Sequence, residues 1–280
     1  MRYFCYQRFY YNYPGPIHTL RQRLMVIPPD RIGDQEVIEQ QLTVAPYPAQ
    51  AKQLSDCYGN RVWELHIAHV EREIAFECIV SVERRAPQAT ILLDREQVEP
   101  FYAPTELTQA DQRILEVAQS LAQGEQNHEA IAQRLSDWIY ATMRYRSGVT
   151  GVGTSAAQAL AIEAGLCQDY SHIMLAMCRA LSIPARYVSG HMLADGGSHA
   201  WVDVLVPNGE GRFRAIAFDP TNNRRPDLSY AIVATGRDYR DVAPTSGSFT
   251  APYGGRLSFN KRAGLTLVEY NDGEVLESTG

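Results

Sequence analysis

The chain has 280 residues, 45% hydrophobic and 21% charged, the composition of an ordinary folded protein with room for one large domain or two modest ones. A net charge of -6 argues against a nucleic-acid partner, and Arg224-Arg225 is too short a basic run to reverse that. No window approaches the roughly 20 apolar residues needed to span a bilayer, and Arg8 stands where the apolar core of a leader would run, so no membrane partner and a cytoplasmic location are expected.

Residues 1–100 read as β. Leu24 with Val26, Leu42 with Val44, Trp63-Leu65-Ile67 and Ile74-Phe76-Cys78-Val80-Val82 alternate with mostly polar neighbours. Pro28-Pro29-Asp30, Pro46-Tyr47-Pro48 and Tyr58-Gly59-Asn60 supply turns between them. Short strands at this spacing predict an antiparallel β-sandwich, with Tyr10-Tyr11-Asn12-Tyr13-Pro14 packed on it as an edge strand. Pro87, Pro100 and Pro104 mark the boundary to a second unit over residues 101–280.

From Thr108 the apolar period becomes helical. Ile114, Val117, Ala118, Leu121 and Ala122 form one stripe, ended by Gly124, and Ile131, Leu135, Trp138, Ile139 and Met143 form a second. Thr154 or Ser155 caps a short helix, and another starts near Cys167 and ends before Pro184, with Ile173, Met174, Met177 and Leu181 inward. Strand periodicity returns over 186–193, 199–207 and 212–219, with Asn208-Gly209-Glu210-Gly211 as a hairpin turn. A strand at 265–270 and the turn Asn271-Asp272-Gly273 close an α+β chain.

Five dispersed cysteines without a CxxC pair read as buried small hydrophobes more readily than as bridges. Cys167 is the exception. It falls in the first turn of a helix, where unpaired N–H groups and the helix dipole favour an anion, and its own N–H can face a tetrahedral oxyanion. Cys178, on the apolar stripe of the same helix, reads as core. His199 follows 32 residues after Cys167, at the start of a strand, and Asp219 a further 20 residues on, at the end of the next strand. A thiol, a base to deprotonate it and an acid to orient the base make a Cys-His-Asp triad.

That arrangement carries a condition. If Pro207 pairs with Arg212, His199 lies opposite Pro220 and Asp219 points to the other face. An irregular turn between Val206 and Phe213 is therefore predicted, shifting the register so that Asp219 lies directly across from His199. Asp203, four residues along the same strand from His199, is about 13 Å away and too far. Asp195 lies in a loop and competes for the acid role, whereas Asp169 suits the first turn of a helix. His191 is the rival base and His172 lies on the nucleophile helix; His18, His66, His69 and His128 read as structural. No tight C-x₂-C or H-x₃-H clip supports a metal among Cys167, His191, His199 and Asp219, so neither metal nor cofactor is expected.

These segments resemble the bacterial, two-domain transglutaminase-like branch of the papain-type cysteine protease superfamily. The resemblance rests on Gly165-Leu166-Cys167-Gln168-Asp169-Tyr170-Ser171-His172, on Arg179 through to Gly190, on Ser198-His199-Ala200-Trp201-Val202, on Asp219-Pro220-Thr221-Asn222 and on Gly236-Arg237-Asp238-Tyr239. Tyr11-Asn12-Tyr13-Pro14 and Tyr58-Gly59-Asn60-Arg61-Val62 resemble the β-rich N-terminal domain of the same proteins. The resemblance implies a core with a nucleophile helix packed on an antiparallel sheet, and Cys167, His199 and Asp219 as nucleophile, base and orienting acid. One departure is His191, where members of that family often carry tyrosine.

The chemistry so implied is acyl transfer from an amide to the thiol and then to water or an amine. Three functions follow: a cytosolic hydrolase of peptide or isopeptide amides, a transglutaminase joining glutamine to an amine, and a binding module that keeps the fold without turnover. Hydrolysis is favoured, because water is the abundant acceptor. Gln158 and Gln168 are weak candidates for a second oxyanion donor, and a peptide or protein is the expected partner.

Overall fold

The structure, a computed structural model, describes residues 1–85, 91–192, 198–269 and 275–276, with side chains as far as residue 255. Seven strands open the chain: β1 (Arg2–Asn12), β2 (Ile17–Leu24), β3 (Arg31–Ile32), β4 (Gln35–Ala45), β5 (Gln50–Ser55), β6 (Arg61–Val70) and β7 (Glu73–Arg84). Then come β8 (Leu92–Leu93), α1 (Arg95–Val98), α2 (Gln112–Ala122), α3 (His128–Thr142), β9 (Arg144–Tyr145), α4 (Ala156–Ile162), β10 (Ala164–Gly165) and α5 (Cys167–Ala180). The remainder is β: β11 (Ala185–Met192), β12 (Ser198–Pro207), β13 (Phe213–Phe218), β14 (Tyr230–Gly236), β15 (Thr245–Thr250), β16 (Arg256–Glu269) and β17 (Val275–Leu276).

The fold class is α+β, as the sequence predicts. Alternation in β7 turns Ile74, Phe76, Cys78, Val80 and Val82 inward against Phe9, Leu65 and Ile67, and so closes a sandwich. One sheet has the order β17-β16-β1-β7-β4-β3 and the other β15-β2-β6-β5. The tyrosine-rich β1 is therefore not the expected edge strand, because β16 pairs along its whole length from the side opposite β7. Residues 245–269 return to this sandwich, β15 on β2 and β16 on β1, although the sequence places them with the second unit. Their pairing partners lie more than 200 residues away, beyond what local periodicity reports. The turn expected at Asn271-Asp272-Gly273 lies outside the described residues.

The second unit is built around α5. Eleven consecutive residues of α5, from Asp169 to Arg179, are buried, since α2, α3 and α4 cover it on one side and the sheet β14-β11-β12-β13-β8 on the other. Ala200, Val202 and Val204 of β12 and Tyr187 of β11 share its core cluster. This is the nucleophile helix on an antiparallel sheet that the resemblance implies.

The hairpin between β12 and β13 decides where Asp219 points. Pro207 pairs with Phe213, not Arg212, and the Asn208 N–H donates to the Arg212 carbonyl at 2.9 Å. Gly209 and Gly211 close the loop at φ +81° and +80°, a region that only glycine enters cheaply. The irregular turn is thus present, with one consequence different from the expectation. Phe218 faces Val202, so the continued ladder sets Asp219 against Trp201 and not directly across from His199. Trp201 and His199 share a parity, and Asp219 therefore reaches His199 diagonally on the same side.

Candidate functional site

Leu166 is the N-cap of α5 and Cys167 its first helical residue. The helix start is fixed by Asp169, whose Oδ2 accepts from the Leu166 N–H and from Thr150 Oγ1, both at 2.7 Å. This first-turn carboxylate is 2% exposed, and burial pushes its pKa up against those hydrogen bonds. Gly165 is required here, because a Cβ on it would overlap the Asp169 side chain.

His199, from the start of β12, lines one cavity with Cys167 and pairs with Asp219. Its Nε2 lies 2.8 Å from Asp219 Oδ2. A carboxylate only accepts, so Nε2 carries a proton and Nδ1 is the nitrogen left for the thiol. The structure thus brings Cys167 and His199 to one cavity, with Asp219 bonded behind His199. Burial lowers the affinity of His199 for a proton, but the hydrogen bonds to Asp219 and Cys167 outweigh it and raise the pKa to about 10. For Asp219, burial acts upward, and His199, Tyr230 and Asn222 together pull the pKa below the usual carboxylate value.

Asp219 is fully buried and receives five donors. The N–H groups of Thr221 and Asn222 reach Oδ1 at 3.0 and 3.3 Å. Asn222 Nδ2 and the Tyr230 hydroxyl join His199 on Oδ2, at 2.8 and 2.6 Å. Arg224 Nε lies 2.7 Å from the Tyr230 oxygen and can only donate, which directs the phenol proton to Asp219. Trp201 completes the shell, its ring near-parallel to His199 at 6.2 Å and edge-on to Tyr230 at 5.3 Å.

Asp203, His172, Cys178 and Gln158 are occupied elsewhere. Asp203 binds Arg186 on the neighbouring strand, at 2.8 and 3.0 Å. His172 is fully buried and accepts from the Tyr239 N–H at 3.2 Å; burial lowers its pKa to about 4, so it is neutral. Cys178 is fully buried, and its thiol is pushed up to about 12. Gln158 closes the capping box of α4 with Ser155, whereas Gln168 lines the cavity beside Cys167. His191 lines the same cavity. Asp195 lies outside the described residues. Among the described residues no three His, Cys, Asp or Glu side chains form a metal-binding group, and no helix is long and apolar enough to cross a membrane.

Sequence reasoning missed Tyr230, Arg224 and Asn222, although Asn222 had a signal: Asp219-Pro220-Thr221-Asn222 is a turn in which an Asp side chain caps the N–H groups that follow it. It also missed Gln7 and Met25, which reach the cavity from the sandwich.

Two family profiles match in tandem: the Bacterial transglutaminase-like N-terminal region over residues 5–83 and the Transglutaminase-like superfamily over residues 115–219. The chain belongs to the transglutaminase-like superfamily. Uncharacterized proteins of Mycobacterium bovis and Mycobacterium tuberculosis are 27% identical over 276 residues, covering 88% of this chain and 87% of theirs. One from Mycobacterium leprae is 29% identical over 217 residues, 70% of this chain and 75% of its own. A crystal structure from Cytophaga hutchinsonii, named a "putative cysteine protease", superposes with a TM-score of 0.72 at 25% identity, covering 93% of this chain and 90% of that one. The matched core profile spans all three site residues, Cys167, His199 and Asp219.

Proposed function

We propose that this protein is a thiol-dependent acyl-transfer enzyme that hydrolyses peptide or isopeptide amide bonds. The observation that carries the reading is that Cys167, at a helix start, shares its cavity with His199, which is bonded to a buried, fully hydrogen-bonded Asp219. A binding module has no need to keep a buried carboxylate behind a histidine that faces a thiol.

With its pKa raised to about 10, His199 already carries a proton near neutral pH, and in the first half-reaction the Cys167 sulfur attacks the amide carbon, forming a C–S bond. The oxyanion so formed faces the Cys167 N–H at the start of α5, and Asp219 stabilises the imidazolium. His199 then gives its proton to the departing nitrogen and the C–N bond breaks, leaving a thioester. In the second half-reaction water loses a proton to His199 and attacks the thioester carbon; the C–S bond breaks and the thiol is restored.

Water is the favoured acceptor because of its concentration, and a lysine amine would give the transglutaminase product instead. All five cysteines are free, which supports the cytoplasmic location. The test offers a glutamine-containing peptide together with a fluorescent amine. Hydrolysis leaves an unlabelled carboxylate, at a cleaved peptide bond or as glutamate with release of ammonia; incorporation of the label would transfer the reading to crosslinking. Loss of both products in Cys167→Ala ties either outcome to the thiol, and turnover that survives Cys167→Ala refutes the mechanism.

A further inference from the structure

The sheet β15-β2-β6-β5 has one face that the core covers only in part. Continuing its ladders sets Met25, Val62 and Leu54 in one row, and all three pack into the core cluster around α5. The Met25 N–H donates to the Pro244 carbonyl at 3.0 Å, and both residues line the cavity beside Cys167. Residues two apart on a strand share a face. The next row is therefore Ser246, Arg23, Glu64 and Lys52, and the row beyond it includes Ser248 and Arg21. These two rows line an open groove of about 810 Å³. Four strands at ~4.8 Å spacing make it about 14 Å across, the reach of about four extended residues.

The chain carries a net charge of -6, yet this groove is cationic. Among the described residues, Arg21, Arg23 and Lys52 line it, and Glu64 is its one acid. Arg23 lies 3.8 Å from Asp56, outside the groove. Arg21 and Lys52 have no ion-pair partner among the described residues. No Phe, Tyr or Trp lines the groove among them, so nucleic-acid bases would find no aromatic ring to stack on. Exposed guanidinium and ammonium groups suit the carboxylates of a peptide, which they bind by charge-assisted hydrogen bonds.

We propose, resting on Cys167 as the acyl-transfer nucleophile, that this groove binds an acidic segment of a peptide or protein substrate. Arg23 and Ser246 each stand two residues from Met25 and Pro244, so groove and cavity adjoin along two neighbouring strands. An acidic segment is repelled by most of the chain and attracted here, which brings the amide next to it to the thiol. The sandwich then selects the substrate by charge while the core performs the chemistry.

The test titrates the full chain with fluorescein-labelled (Glu-Gly)₄ and (Gln-Gly)₄ peptides and follows anisotropy at low salt. The Glu peptide is expected to bind about tenfold tighter or more, the gap closing as salt rises. Arg21→Glu with Lys52→Glu should abolish the preference. Arg31→Glu with Arg134→Glu, the same charge change at exposed sites elsewhere, should keep it. The same peptides then carry a C-terminal chloromethyl ketone or an N-terminal chloroacetyl group. From one end or the other, the Glu reagent should alkylate Cys167 about tenfold faster than its Gln counterpart, and lose that advantage in the reversed groove. Equal affinity for the two peptides, or an equal loss in both reversed pairs, overturns the inference. So does tighter binding of an oligothymidylate of equal charge, or no rate advantage from either end. If the reversed groove does not fold, Lys52→Gln replaces it, with about a threefold loss of preference expected and an unchanged preference overturning the inference. Failure of the nucleophile is a separate outcome, read as an iodoacetamide rate no greater than that of His199→Ala, and it leaves the anisotropy result standing.

Discussion

The Tyr230 hydroxyl donates to the same Asp219 oxygen that accepts from His199, at 2.6 Å, while Arg224 donates to the phenol oxygen from behind. The phenol is therefore a fixed donor whose orientation is set by a cation. Tyr230→Phe keeps the ring against Trp201 and removes this bond together with the one that Arg224 donates to the phenol oxygen. Because the acceptor is a buried carboxylate, a loss of about 1.5–3 kcal/mol is expected in urea unfolding. Turnover should fall with it, since Asn222 and the two backbone N–H groups then hold Asp219 without its strongest-placed partner. Unchanged stability would show that water replaces the phenol.

Gly190 lies across the ladder from His199. A Cβ there would overlap the Ala231 carbonyl oxygen and the Trp201 ring. Neither neighbour can yield, one being backbone and the other a fully enclosed indole. Gly190→Ala is expected to cost about 1–3 kcal/mol by overpacking. It should also slow turnover by pushing Trp201 toward His199. A melting curve and a rate measured on the same preparation separate the two effects, and a variant that keeps both would show that β11 shifts freely.

How much of this was open to the sequence depends on how far each contact reaches. Cys167 at a helix start and His199 and Asp219 at the ends of one hairpin are consequences of local pattern, and so was the need for an irregular turn. The direction of the register shift was not, because it depends on how Gly209 and Gly211 close the loop. Tyr230 is beyond local reading because β14 pairs with β11, so the residue arrives from the strand on the far side. Gln7 is further still, as it meets His191 across the junction of the two units. The return of β15 and β16 to the sandwich was hidden for the same reason: Thr245-Ser246-Gly247-Ser248 has almost no apolar alternation, and its partner is β2.

The His199–Asp219 pair makes stability depend on pH in a defined direction. His199 is raised to about 10, so the stability it contributes is complete below its unfolded value of about 6.5 and is lost as pH rises through about 10. Asp219 is depressed, so its contribution is present above the unfolded value of about 4 and is lost as pH falls through the folded one. The difference in unfolding free energy between the protein and His199→Gln should therefore shrink steadily between about pH 6.5 and about pH 10. Urea titrations across that range check it, and a difference that stays constant contradicts the assignment.

If Cys167, His199 and Asp219 act as one unit, the rate at which iodoacetamide alkylates Cys167 depends on the other two. Near neutral pH the protein should react roughly tenfold or more faster than His199→Ala. Adding Asp219→Asn to His199→Ala should slow it no further, because groups that work together are not additive. Equal rates for the protein and His199→Ala across the pH range would contradict the account.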